Sequence, residues 1–276
     1  MIEIDHFLII LRTNILKKGD EINMTTQDQK GKVALITGAT RGIGVETARG
    51  LGKLGATVII GARDEEKGQA VAAELKQEGL DVVSVKIDVN TISDHAAVYD
   101  YIEKNFGKLD ILINNAGILL DEESVSVEVV NRTSTLPIEL LRETFDVNFF
   151  SLIQLTQTLL PLIRKSEGGR IVNLSSILGS LTAHSDPSAP IYSMKTFAYN
   201  ASKTALNAFT VHLAHELKDT PIKVNSVHPG WVRTGLGGEK ASLDETEGSL
   251  TSIKFATLPA DGPTGGFYHQ DKQLPW

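Results

Sequence analysis

From Lys32 onward, short apolar runs rich in β-branched residues alternate with segments whose apolar positions recur every three or four residues. "KVALITG" (32–38) is a continuous apolar run ended by glycine, the pattern of a strand buried on both faces. "GVETARGLGKLG" (44–55) follows, with small and apolar residues at helical spacing and a glycine stop. The alternation continues through strand "ATVIIGAR" (56–63), helix "DEEKGQAVAAELKQEG" (64–79), strand "DVVSVKIDV" (81–89) and helix "DHAAVYDYIEKNF" (94–106). Strand "KLDILINNAG" (108–117), a long helix from about Pro137 to Arg164, strand "GRIVNLSS" (169–176), a helix from about Thr196 to Lys218 and strand "IKVNSVHPG" (222–230) complete it. Unbroken strand–helix alternation predicts right-handed βαβ units, and so the α/β class: a single doubly wound parallel sheet with helices on both faces.

No stretch between Lys32 and Gly230 resembles a linker and no internal repeat is visible, so residues 25–276 read as a single domain. Residues 1–24 read as an N-terminal appendage. Their apolar run, Phe7 to Leu11, is far short of the ~20 residues that span a bilayer. Glu3 and Asp5 stand where a secretory signal would be basic. A net charge of -7 argues against a nucleic-acid footprint and against attraction to anionic membranes. The absence of cysteine excludes disulfides, thiolate catalysis and cysteine–zinc sites. A cytoplasmic protein acting on a small molecule is expected.

The polar and glycine-rich groups fall at the carboxyl ends of the expected strands, where an open parallel sheet places its ligand. They are Gly38 to Gly44, Arg63, Asp88, Asn114 to Gly117, Ser175, Ser176 and Pro229 to Gly238. In "TGATRGIG", Gly38, Gly42 and Gly44 permit a tight turn and close approach to a pyrophosphate at a helix N-terminus. The spacing is GxxxGxG, and the competing reading is a tight strand–helix turn without a ligand. The second strand ends in Ala62 and Arg63, where an NAD-preferring dehydrogenase places an acid. Arg63 and Arg41 together suit the 2′-phosphate of NADP, unless both are simply solvated. Asp64 follows directly and tempers that preference. Asp88 suits either an adenine amino group or an Asx turn.

Tyr199 and Lys203 stand four apart in "YNASK", on one face of a helix. A neighbouring ammonium lowers a phenol from its usual value of about 10 toward working pH, so the tyrosine can act as acid or base. Alone, such a pair is common and more often marks an exposed amphipathic helix. Ser176, ending the strand before that helix, can bond the same substrate oxygen. His212 and His215 lack a third ligand, so no metal is expected.

In this order, "TGATRGIG", "NNAG", "NLSS", "YNASK" and "HPGWVRT" resemble the short-chain dehydrogenases/reductases, over about Lys32 to Thr234. Within them the chain looks most like the NADPH-dependent carbonyl reductases, through "IGARDEEKGQA" and the tail "GPTGGFYHQDKQLPW". The resemblance implies a Rossmann-type fold and NADPH/NADP as cofactor, with NADH second. Tyr199 would be the acid/base. Lys203 would hold the nicotinamide ribose, Ser176 would orient the carbonyl, and Asn148 in "DVNFFSL" would support a water chain behind the lysine; a kink-capping asparagine is the other reading of Asn148. Thr40, Ile43, Val89, Asn114, Asn115, Ala116, Gly117, Pro229, Gly230 and Val232 would line the cofactor, with Asn114, Ala116 and Gly117 also bracing the central strand. Thr234 would bond its carboxamide, and Gly235, Gly237 and Gly238 look like hinges of a covering lid.

The expected reaction is reduction of an aldehyde or ketone. The alternatives are an NAD-dependent alcohol dehydrogenase and a dinucleotide-sensing protein without catalysis; the intact Ser176, Tyr199 and Lys203 speak against the latter. Two segments are longer than the family pattern, Ile118 to Leu136 and "SLTAHSDPSAPIYSMKTFA" (180–198). Both lie beside the expected substrate cleft. The second carries Pro187 and Pro190, which favour an irregular segment. By resemblance it would lie across the long helix and the tyrosine helix and favour a monomer, with dimer or tetramer as alternatives.

Overall fold

The computed structural model describes residues 28–121 and 132–276. The expected appendage, and residues 122–131 of the first lengthened segment, lie outside the described residues.

The strands are β1 Val33–Thr37, β2 Thr57–Ala62, β3 Val82–Lys86, β4 Ile111–Asn114, β5 Arg170–Leu174, β6 Lys223–Val227, β7 Phe267–His269 and β8 Lys272–Gln273. They form one sheet in the order β3-β2-β1-β4-β5-β6-β7-β8. β1 to β7 are parallel, and only β8 runs antiparallel to β7. The helices are α1 Ile43–Lys53, α2 Glu65–Gln77, α3 Ile92–Phe106, α4 Ile138–Phe145, α5 Ser151–Ile163, α6 Leu181–Ser185, α7 Phe197–Glu216 and α8 Glu245–Ala256.

β1 shows why the sheet is doubly wound. Its five residues are all buried, and they alternate between two cores because successive side chains leave opposite faces. Ala34 and Ile36 pack with residues of α1, α2 and α8, such as Leu51, Leu75 and Ile253. Val33 and Leu35 pack with α3, α5 and α7 through Ile102, Leu159 and Leu213. Helices therefore cover both faces. Chain order reverses between β1 and β4, which opens a crevice at the carboxyl ends of those two strands.

The expected long helix has the right extent but a different interior. α4 and α5 are joined by a π-helical turn, Asp146–Phe150. A π turn absorbs one extra residue without changing composition, so periodicity does not reveal it. α8, β7 and β8 were not assigned from the pattern. The buried face of α8 is Gly248, Ser249, Thr251 and Ser252 besides Ile253 and Phe255, so its apolar stripe is weak. Its start carries a legible signal, a capping box in which Asp244 and Glu247 bond each other's backbone.

The second lengthened segment forms a 3₁₀ turn, Ile177–Gly179, then the short α6, then turns up to Thr196. Its buried Ile191 and Met194 pack with Leu178 and Tyr199. Phe150 beside α5 and Val211 on α7 remain 52% and 40% exposed in the single chain. Below the sheet's central strands, the buried Arg170 guanidinium donates to the carbonyls of Gly168, Gly169, Pro221, Leu258 and Pro259. Among the described residues no helix is long and apolar enough to cross a membrane.

Candidate active site

The crevice is floored by the turn after β1 and the turn after β4. Gly38 has φ 64°, and a Cβ there would lie 3.0 Å from the Cα of Ala116. A Cβ on Gly44 would meet Ala39, Asn115 and the Gly38 carbonyl at 2.8 Å, so both turns close only around glycine. Thr37 locks them together: its hydroxyl accepts from the backbone N–H groups of Asn115 and Ala116. The Asn115 amide donates back to the carbonyls of Thr37 and Gly38. Gly42 caps α1 with no side-chain bond to its first N–H groups. Those N–H groups and the helix dipole form an anion cradle, with Thr40, Arg41, Gly42, Ile43 and Gly44 around it. The cradle fits a dinucleotide pyrophosphate.

Arg41 and Arg63 are exposed at the ends of adjacent strands, and neither pairs with a carboxylate among the described residues. Asp64 is engaged otherwise. It caps α2 by accepting from the Lys67 N–H at 3.1 Å and pairs with the Lys67 ammonium at 3.2 Å. That backbone bond, followed by the lysine's own, holds its carboxyl below the usual range. Asp88 makes the Asx turn, accepting from Asn90 N–H at 3.0 Å, with Val89 half-buried beside it. Asn114 faces away from the crevice, its amide donating to Thr156 and Asn173 beneath the sheet.

The four residues expected to carry the chemistry meet beside the second turn. Tyr199 and Lys203 lie on one face of α7 and are 6% and 4% exposed. The Lys203 ammonium sits 5.6 Å from the Tyr199 ring centroid and donates to the Leu174 carbonyl at 2.8 Å. Ser176 accepts from the Leu178 N–H and lies near enough to the Tyr199 phenol to offset part of the effect of burial on it. Asn148, fully buried in the π turn, clamps Ile118 by accepting its N–H at 2.8 Å and donating to its carbonyl at 2.9 Å. A Cβ on Gly117 would lie 3.4 Å from the Asn148 Oδ1 and 3.5 Å from the Lys203 Nζ, so the three converge. Gly179, which the sequence did not single out, lets the serine turn lie on α7: a Cβ there would be 2.8 Å from the Lys203 carbonyl carbon.

One expectation is corrected here. Lysine does not bring the phenol down in the protein as it stands. Burial pushes Tyr199 up to about 12, with the Ser176 contact working the other way. Burial also brings Lys203 down to about 8. The ammonium is directed at a backbone carbonyl, and both groups lose hydration, which disfavours the charged form of each. Both effects favour the neutral phenol at Tyr199.

"GWVRTGLGG" (230–238) arches over this end. Gly230 has φ 91°, and Pro229 and Gly230 leave β6 beside the crevice. Trp231 donates to the Gly237 carbonyl, and Thr234 accepts from the Gly237 N–H, so the arch is bonded to itself. Val232 is buried and bridges to Leu243. The Thr234 methyl lies 3.5 Å from the Cβ position of Gly42, which brings the sixth-strand loop onto the first. Of the three expected hinges, Gly237 is packed on the Val232 carbonyl, whereas Gly235 has open space around its Cβ position. His212 lines a groove between α5 and α7, away from the crevice, and no metal cluster occurs among the described residues.

The family model described as short chain dehydrogenase matches residues 32–244. A short-chain dehydrogenase/reductase 1 of Saponaria officinalis is 30% identical, the alignment covering 89% of this chain and 96% of that protein. A carbonyl reductase [NADPH] 1 of Mus musculus is 31% identical, covering 88% and 98%. Among solved structures, salutaridine reductase from Papaver somniferum superposes with a TM-score of 0.72 at 28% identity, over 86% of this chain and 99% of that one.

Proposed function

The chain belongs to the short-chain dehydrogenase family and is an NAD(P)-dependent oxidoreductase, and from that premise we propose that it reduces an aldehyde or ketone to the alcohol with NADPH. The observation that carries the proposal is the convergence of the buried Tyr199 with Lys203, whose ammonium lies 5.6 Å from the ring centroid, beside the Gly117 turn that also meets Asn148. Reduction of a carbonyl needs a proton on its oxygen, and a neutral phenol supplies one at working pH. In the reverse direction the same hydroxyl would take the proton back, so the substrate and cofactor assays decide the direction.

In this reading the substrate oxygen takes hydrogen bonds from Ser176 and Tyr199, and Tyr199 delivers the proton. Bound NADPH supplies hydride to the carbonyl carbon. Lys203 holds a cation behind the phenol, and Asn148 keeps the Ile118 backbone and the π turn in register with it. Gly38, Gly42 and Gly44 admit the pyrophosphate, and Arg41 and Arg63 take the 2′-phosphate. Support for that last assignment is the commitment of Asp64 to capping α2, while neither arginine pairs with a carboxylate among the described residues. A relative bearing the name carbonyl reductase [NADPH] points the same way. The test is a panel of aldehydes, ketones and alcohols assayed with both cofactors. Turnover of carbonyl compounds, faster with NADPH, is expected; alcohol oxidation with NAD and no carbonyl turnover would overturn the proposal.

A further inference from the structure

Helix α7, which carries Tyr199, begins without a side-chain cap from its own capping residue. The capping position, Thr196, makes no side-chain bond to the helix N–H groups, because its hydroxyl donates to the Asn200 side chain at 2.9 Å. The N–H groups of Ala198 and Tyr199 are instead bonded by a carboxylate from far away in the chain. One Asp121 oxygen accepts from Ala198 at 2.7 Å and the other from Tyr199 at 3.0 Å. Asp121 is 1% exposed.

The segment carrying Asp121 is short and held at both ends. It leaves β4 through the turn Asn115–Gly117, which touches Gly38. Ile118 is then clamped on both its N–H and its carbonyl by Asn148. Leu119 packs into the apolar cluster around Tyr199. Asp121 ends this strap on the first turn of α7. Five residues therefore join the cofactor turn, the π turn and the tyrosine helix, and the carboxylate is the contact made with the tyrosine's own backbone.

We propose that Asp121 is a positioning residue for the carbonyl reduction: its carboxylate, bonding the backbone of residues 198 and 199, sets where the Tyr199 hydroxyl stands relative to Ser176 and the hydride donor. A two-oxygen grip on consecutive N–H groups fixes both the height of the helix start and its rotation about the axis, because a shift by one residue would break both bonds. Misplacing a proton donor by about 1 Å costs on the order of 10²-fold in rate. The proposal rests on Tyr199 being the proton donor.

The experiment is a cycle of four proteins: wild type, Asp121→Asn, Tyr199→Phe and the double variant, with Asp121→Ala as a harsher second replacement. Steady-state rates are read together with hydrogen exchange at the amides of Ala198 and Tyr199. Asp121→Asn is expected to lower kcat about tenfold in the wild-type background, with KM for NADPH within about twofold, because the strap's carboxylate does not touch the glycine turn. In the Tyr199→Phe background it should change kcat by less than about twofold, since the effect passes through the missing hydroxyl. Exchange at the two amides should rise in both backgrounds. An equal loss of kcat in both backgrounds, or rapid exchange with kcat unchanged, would overturn the proposal. If Asp121→Ala does not fold, Asp121→Asn, which keeps one acceptor, still decides the matter. Inertness of the wild type toward every carbonyl compound would instead sink the proposed activity, and the exchange rates would then still show whether Asp121 holds the helix start.

Discussion

Replacing Tyr199 with phenylalanine should remove turnover while leaving the fold and cofactor binding in place. The substitution deletes one hydroxyl from a ring that is 6% exposed and changes no packing volume. Ser176 keeps its bond from the Leu178 N–H, so no buried group is stranded by the loss. The net worth of the lost contact is about 1 kcal/mol at most, and relief of the buried hydroxyl partly offsets it. Lys203 keeps its bond to the Leu174 carbonyl, so its ammonium stays where it is. Catalysis has no such reserve. General acid catalysis contributes ~10²–10⁴-fold, or roughly 2.7–5.5 kcal/mol at 1.36 kcal/mol per decade. Thermal melting should therefore move by only a few degrees, and NADPH affinity, read by fluorescence titration, should be near that of the wild type. Single-turnover and steady-state rates with a reducible ketone check the chemistry. Retention of more than about a hundredth of the wild-type kcat would show that the proton comes from elsewhere.

For wild type, kcat/KM for reduction should be flat through neutrality and fall as pH rises through about 8, because the Lys203 ammonium discharges there while Tyr199 stays a phenol; a fall only above pH 10 would remove Lys203 from the account. Replacing Arg41 and Arg63 together with alanine should raise KM for NADPH far more than for NADH, by roughly 30-fold, if each exposed charge-assisted contact is discounted to about 1 kcal/mol; equal losses with both cofactors would show that neither reads the 2′-phosphate. Arg170→Ala should cost at least about 3 kcal/mol, because carbonyls from three separate turns lose their donor; roughly 6–12 °C of Tm is expected in thermal melts, and Arg170→Lys should restore little, since an ammonium cannot match the fork. A chain beginning at Met24 is expected to fold and turn over like the longer one, and aggregation or a large drop in Tm would mean that residues 1–23 pack on the domain.

The sequence alone determined the class of the sheet and the succession of β1 to β6 along the chain, and it set the glycine-rich and polar residues at the carboxyl ends of those strands. Those features come from local pattern: buried parallel strands are uninterrupted Val, Ile and Leu runs, and their ends carry Gly38, Ser176 and Gly230, residues that turns and ligands require. The four-residue spacing of Tyr199 and Lys203 was legible for the same reason, since one helix face is a property of spacing. Three-dimensional packing decided the rest. The π turn at Asn148 adds a residue to a helix without a compositional mark, and α8 hides its buried face in glycine, serine and threonine. Ionisation was also a tertiary matter. Spacing places an ammonium near the phenol, but only burial decides that the phenol rises to about 12 and the lysine falls to about 8. Asp121 was silent in the chain because its partners lie 77 and 78 residues away. A capping acid beside its helix leaves a local signature, whereas one delivered across the fold by a strap from another strand leaves none.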